Sequence, residues 1–297
     1  MKQTLIIVWL VSLLLGTMAC QIGAPTQDPG LSTTGVAETQ TQPTQTTAVT
    51  LPPTEVIIAD PTLTATNLPP TPTVDLVLDT SQLVLESRTH SEDNTALPGY
   101  SISSTFPIFA ATNDERLIRF NIDVEEIITA LENSFRTDAL AIPNDPNFGP
   151  NQSTLEIQYL TTYLERGVIS IYFDISYYMS GAAHPNGYSI VLNYDLLAGA
   201  QINLADLFLP GTDFMQPLSQ YCTTTLANQG RLEFPDGALP NEVNYKSWNI
   251  TPTGLRITFD PYQVGPYAMG FQVVDVPFVE LGSIFRSDGA IGRVIAP

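Results

Sequence analysis

The sequence predicts an α+β fold, a mostly antiparallel sheet with two main helices after a disordered Thr/Pro-rich linker. Three observations carry this. Val168 to Met179 alternates: Ile169, Ile171, Phe173, Ile175, Tyr177 and Met179 point one way, and Ser170, Tyr172, Asp174, Ser176 and Tyr178 the other. That period of two is a strand with one buried and one wetter face. Val124, Ile128, Leu131 and Phe135 recur at helical spacing and form one apolar face. The remaining patterns follow the order strands, helix, strands, helix, strands, not the regular βα alternation of a parallel sheet.

The chain opens on an address. Lys2 lies in a short charged segment, Leu5 to Leu15 is apolar, and Gly16-Thr-Met-Ala-Cys20 follows. This reads as a signal peptide over residues 1–19, because the apolar run is shorter than the ~20 residues a spanning helix needs. Its end resembles a bacterial lipobox, so lipid attachment is expected at Cys20. Thr17 stands where that motif usually has Leu, and the alternative is ordinary cleavage near Ala19.

Residues 20–75 read as a tether. Gln21 to Asp75 holds no Lys or Arg and is rich in Thr, Pro, Gln and Ala, as in Leu68-Pro-Pro-Thr-Pro-Thr73. Such a segment cannot bury a core. At ~3.1 Å per residue in polyproline II it would reach on the order of 170 Å, enough to lift a domain off a membrane.

The folded part follows. Tyr100 to Phe109 is an extended segment, and Pro107 marks it as an edge strand or a strand end. Phe120-Asn-Ile-Asp123 leads into the first helix, with Asp123 as N-cap, Glu126 completing a capping box and an end near Leu140, before Pro143. Leu155, Ile157, Tyr159 and Thr161 alternate as a strand, and Glu165-Arg-Gly167 makes a hairpin turn into the strand at Val168. Gly181 to Gly187 is a loop, Tyr188 to Tyr194 a strand, Leu197 to Ala200 a turn and Ile202 to Phe208 an amphipathic connector. Asp213 caps a second helix that runs to about Asn228, with Pro217 in its first turn. Asn244 to Ile250 and Leu255 to Asp260 form a hairpin, Phe271 to Val276 a last strand and Phe278 to Phe285 a short final helix.

Two stretches carry a family resemblance. Ile175-Ser-Tyr-Tyr-Met-Ser-Gly-Ala-Ala-His-Pro185, Leu192-Asn-Tyr-Asp195, Ala198-Gly199 and Leu204-Ala-Asp-Leu-Phe208 resemble the extracellular domain of RsiV-type lysozyme-sensing anti-sigma factors, as does Tyr262-Gln-Val-Gly-Pro-Tyr-Ala268. Phe106-Pro-Ile108 and Phe120-Asn-Ile122 resemble the PdaC-type module that precedes that domain and also occurs in a peptidoglycan deacetylase. The resemblance implies a PdaC-like module over 76–152 and an RsiV-like domain over 153–297. Ala182 departs from it, standing where the family loop has a second glycine. Neither the sigma-binding segment nor the deacetylase catalytic domain is expected in this chain.

Composition limits the chemistry. With 30 acidic against 11 basic residues the formal charge is -19. Such a chain repels phosphate backbones, so no nucleic-acid partner is expected. The tether holds five of the acids, so Leu76 onward keeps 25 acids against 10 bases. Two cysteines and two histidines argue against a disulfide framework, a Cys-based zinc site or a multi-His metal site, and no cofactor is expected. Cys222 shares a helix face with Phe214, Leu218, Tyr221 and Leu226 and reads as a core residue.

His184 reads as a turn-holding residue bonded to a backbone carbonyl. The alternative is a general base working with Asp174 or Asp195. Tyr172 and Tyr178 on the wetter strand face, and Tyr188 beside the loop, suit sugars or protein interfaces. The competing expectation is a second core, with a helix over that face. The site expected is therefore Tyr178, Gly181, His184 and Tyr188, with no catalytic residues.

The function expected is a non-enzymatic, monomeric lipoprotein on the outer face of the bacterial cell membrane. It would bind a cationic protein such as lysozyme, or peptidoglycan. A cell-wall hydrolase or deacetylase using His184 with an Asp, and a structural envelope protein without ligand, are the alternatives.

Overall fold

The computed structural model of the chain describes residue 78, residues 83–143 and residues 152–296. The expected signal peptide, Cys20 and the tether over 20–75 lie outside the described residues. The fold is α+β with mostly antiparallel strand pairing. A six-stranded sheet runs in chain order: β1 (Leu85–Asn94), β2 (Gly99–Phe109), β3 (Gln152–Glu165), β4 (Val168–Tyr178), β5 (Asn186–Asp195) and β6 (Ala200–Gln201). A three-stranded sheet holds β7 (Trp248–Ile250), β8 (Gly254–Phe259) and β9 (Gln272–Pro277). The helices are α1 (Glu115–Leu140), α2 (Met215–Asn228), α3 (Phe278–Leu281) and α4 (Gly289–Ile295).

α1 lies on one face of the larger sheet. Its buried residues Leu117, Phe120, Val124, Ile128, Leu131 and Phe135 pack with Ile157, Ile169, Ile171, Phe173 and Ile175 in the first core. Each such side chain contributes roughly 1.5–3 kcal/mol on burial. The apolar face is as expected, but the start is not. The N-cap is Asp114, whose carboxylate accepts from the Arg116 N–H at 2.9 Å. Asp123 lies inside the helix, because the apolar period extends back through Phe120 to Leu117. Burial raises the Asp123 pKa there.

β2 pairs with β3 in parallel only from Gly99 to Ser104, so Pro107 falls where β1 is its only ladder partner. That suits a residue without an N–H. The turn Arg166-Gly167 has both φ angles positive, +52° and +74°, as a two-residue hairpin joining β3 to β4 requires.

A β-bulge at Thr162 has a larger effect. Thr161 pairs with Ile171 and Tyr163 with Ser170, leaving Thr162 without a ladder partner. The extra residue turns the strand, so Tyr163 enters the second core while Leu164 packs on the first. The second core gathers Val168, Leu218, Cys222, Leu226, Trp248, Ile250, Ile257 and Phe285. Cys222 is fully buried and burial pushes its thiol up to about 12, which makes it an inert core residue.

Four elements differ from expectation. The far face of β4 at Ser170 is covered by β7, a strand where a helix was the expected cover. β5 begins at Asn186, two residues before the expected start. The final helical region is two short helices, α3 and α4, instead of one over Phe278 to Phe285. β1 was not expected at all, because its sequence has no apolar alternation. Its α1-facing positions are charged and paired: Arg88 with Glu125, His90 Nδ1 with Glu132 at 2.9 Å, and Glu92 with Arg136 at 2.6 Å.

Arg136 grips Glu92 through two nitrogens and Tyr100 donates its hydroxyl to the same carboxylate. The Arg136 guanidinium, then the Tyr100 phenol, hold Glu92 down at about 2, from an ordinary 4.5. A depressed carboxylate stabilises the fold above its unfolded pKa and loses that contribution as pH falls through the folded value. Glu92→Gln is expected to cost about 1 kcal/mol at pH 7 in urea unfolding. The gap from wild type should close as pH drops from 4.5 toward 2; a gap that persists at pH 2 would contradict the pairing.

Candidate functional site

Two loops far apart in sequence meet at one end of the sheets. The first joins β4 to β5 and holds Gly181 to Pro185. The second joins β8 to β9 and holds Tyr262 to Met269. Both are registered by one carboxylate. Asp260, 9% exposed, begins the second loop and accepts from the Ser189 N–H at 2.9 Å and from the Ser189 hydroxyl. With its one hydrogen committed to Asp260, the Ser189 oxygen accepts from Ser247 Oγ at 2.8 Å. Lys246 Nζ stands 3.4 Å from the other Asp260 oxygen.

This clamp places His184 against Tyr267. The rings stack with centroids 4.2 Å apart and 28° between planes. His184 Nδ1 and the Tyr267 hydroxyl both donate to the Pro185 carbonyl, at 2.7 and 2.6 Å. Tyr262 continues the row 5.5 Å from Tyr267, with φ at +70° and 42% of its surface exposed. The Ala182 N–H closes the first loop onto the Met179 carbonyl at 2.9 Å, and Gly181 takes φ +88°. The result is an outward-facing aromatic row held by backbone.

The expected site residues therefore divide. His184 and Gly181 sit in the loop, and His184 holds a backbone carbonyl as the sequence suggested. Asp195 pairs with Val168 at the far end of the β4–β5 ladder, nine positions from Asn186. At ~3.3 Å per residue that is about 30 Å along the strand. Its oxygen is held by Arg293 at 2.6 Å. Asp174 pairs with Ser189 on the face away from α1, where burial, then Glu156 and Asp260, raise its pKa.

Tyr172 and Tyr178 face that same side, and burial, then Asp174 and Asp260, push the Tyr172 phenol up. Tyr188 points the other way. It is registered with Ile175 on the α1 side and meets Tyr177 edge-on at 6.1 Å. It lines a groove with Leu131, Ser134, Phe135 and Asp138 of α1, Leu155 and Tyr177 of the sheet, and Met179 just past β4. Tyr262 and Tyr267 were legible only as a rigid Gly-Pro turn. Their partner, His184, is invisible until the fold brings the loops together.

Residues 205–279 match the profile of a family described as a protein of unknown function (DUF3298). The peptidoglycan-N-acetylmuramic acid deacetylase PdaC of Bacillus subtilis (strain 168) is 23% identical over 137 residues. That match takes in 44% of this chain and 29% of that protein's length. A DUF3298 family member from Bacteroides fragilis superposes with a TM-score of 0.56 at 17% identity, over 72% of this chain and 98% of its own. A Pseudomonas aeruginosa member gives 0.51 at 14% identity, over 69% and 94%. These two likenesses show a shared fold.

The stack makes a spectroscopic prediction. The chain has two histidines, so His90→Asn assigns the other. Tyr267→Leu should move the His184 ring-proton resonance downfield in NMR, as the shielding face of the phenol is lost. An unmoved resonance would mean that the two loops do not meet.

Proposed function

We propose that this chain is a non-catalytic, cell-envelope binding module, anchored through a lipid on Cys20, whose ligand is the glycan of peptidoglycan. The observation that carries this reading is the row of exposed His184 and Tyr262 with half-buried Tyr267, built from two distant loops and fixed by backbone hydrogen bonds. Flat aromatic faces with a polar edge suit the apolar face and hydroxyl rim of a sugar ring. Holding them rigid removes most of the ordering cost of binding.

Three further observations support the reading. The signal-like segment ending at Cys20 argues for an extracytoplasmic location. The similarity to PdaC, named for its action on peptidoglycan, supports an envelope ligand. The RsiV-type motifs Ala183-His-Pro185 and Tyr262-Gln-Val-Gly-Pro-Tyr267 supply both loops of the row. Gly181 shapes the first loop, and Tyr178 extends the same module on the sheet's outer face. His184 is a positioning residue in this reading, since its Nδ1 is committed to the Pro185 carbonyl.

Co-sedimentation of the full chain with purified peptidoglycan, with lysozyme as the comparison ligand, tests this. Tyr267→Ala and Tyr262→Ala should each weaken binding to peptidoglycan about tenfold, the size of a moderate interface hot spot. Binding unchanged in both variants, or binding to lysozyme alone, would overturn the glycan reading. Turnover of muropeptides that is lost in His184→Ala would overturn the non-catalytic one.

A further inference from the structure

The groove on the other side of the sheet, under the last turns of α1, has an unusual electrostatic makeup. Asp138 lies in the last turn of α1, where the helix carries no basic residue. The carbonyl end of a helix is the negative end of its dipole, so a carboxylate there is unfavourable and a cation is favoured. Asp138 is half-buried, and among the described residues its carboxylate has no hydrogen bond or ion pair. The nearest basic residue along the helix, Arg136, is committed to Glu92.

Burial raises the Asp138 pKa, and no neighbouring cation offsets it. A charge placed against both local rules, with no internal partner, marks a site where stability has been exchanged for something else.

The rest of the groove says what that is. Its walls are the aliphatic side chains of Leu131, Leu155 and Met179 and the rings of Phe135, Tyr177 and Tyr188. Its enclosed space is about 20 Å³, room for one small head group, and it opens to solvent so that a stem lies along the apolar walls. The Tyr188 hydroxyl has no partner among the described residues, and burial pushes it up, keeping it a neutral phenol. Aromatic faces beside a carboxylate attract an organic cation doubly, through the ring quadrupole and the charge. The apolar walls suit a methylene stem. Leu76 onward holds 25 acids against 10 bases, which steers cations toward it.

We propose that the groove between α1 and β3–β5 binds a primary ammonium on an aliphatic stem, as the lysine-type side chain of a peptide presents it. Asp138 takes the ammonium, Tyr177 and Tyr188 flank it, and Leu131, Leu155 and Met179 cover the stem. This site shares no residue with the His184 row and stands or falls separately from the glycan reading.

The test uses the full chain with ¹³C-methyl methionine labelling, reading the Met179 methyl, assigned by Met179→Leu. Nα-acetyl-lysine methylamide should shift that resonance saturably. Nα-acetyl-norleucine methylamide, its neutral isostere, should bind at least about tenfold more weakly. Asp138→Asn should lose the lysine response by a similar factor while melting at an equal or higher temperature. An unmoved Met179 methyl, equal response to both probes, or a folded Asp138→Asn chain that binds as wild type would overturn the proposal. The two-probe comparison is made on the unsubstituted chain, so it decides the matter even where the variant does not fold.

Discussion

Ser170 contributes one hydroxyl, and its whole hydrogen-bonding capacity is used at the junction of the two sheets. The oxygen donates to Asn193 Oδ1 at 2.6 Å and accepts from Asn249 Nδ2 and the Ile250 N–H, each at 3.0 Å. Asn193 in turn donates to the Trp248 carbonyl at 2.8 Å, and Asn249 reaches the Ile171 carbonyl at 3.0 Å. The Thr162 hydroxyl, re-aimed by the bulge, closes the set at 2.8 Å from the Ile250 carbonyl. Every member is buried or nearly so, and a buried polar group left unpaired costs about 1–3 kcal/mol. The network therefore fixes where β7 crosses the larger sheet in a way that apolar packing alone would not.

The site depends on that crossing. β7 leads through β8 to Asp260, and Asp260 reaches back to Ser189 on β5, five residues past His184 in the chain. The seam at Ser170 and the clamp at Asp260 are two points on one junction, and together they set the distance between the loops. The stacked row of His184, Tyr267 and Tyr262 is thus a product of tertiary docking. The groove at Asp138 needs α1, the larger sheet and Met179 at the start of the β4–β5 loop, and no residue of the β8–β9 loop lines it.

Much of this was readable from residues. β4, the hairpin at Arg166-Gly167, the inner face of α1, α2 and the burial of Cys222 all follow from period, turn chemistry and helical spacing. What was not readable has specific causes. β1 shows no apolar period because Arg88, His90 and Glu92, its positions facing α1, are satisfied by ion pairs from a helix more than thirty residues on. Asp123 with Glu126 matches a capping box, yet the helix continues through it because Leu117 and Phe120 extend the buried face. Ser170 looked like an ordinary outer-face residue, and periodicity cannot tell a wet face from one covered by another sheet. Tyr188 was grouped with the loop by proximity in sequence, whereas its register with Ile175 turns it to the α1 side. Asp138 carried a signal that went unused, an acid where a helix end favours a base.

Hydrogen–deuterium exchange on Ser170→Ala tests most directly whether the buried seam holds the aromatic row in place. Removing the hydroxyl orphans the Ile250 N–H and the Asn193 side-chain oxygen Oδ1 and leaves α1 and its core untouched. Protection should fall in β7 and in residues 181–189 and 260–269, while α1 and β2 keep theirs. Unchanged protection in the two loops, or a uniform loss across the whole molecule, would contradict the account.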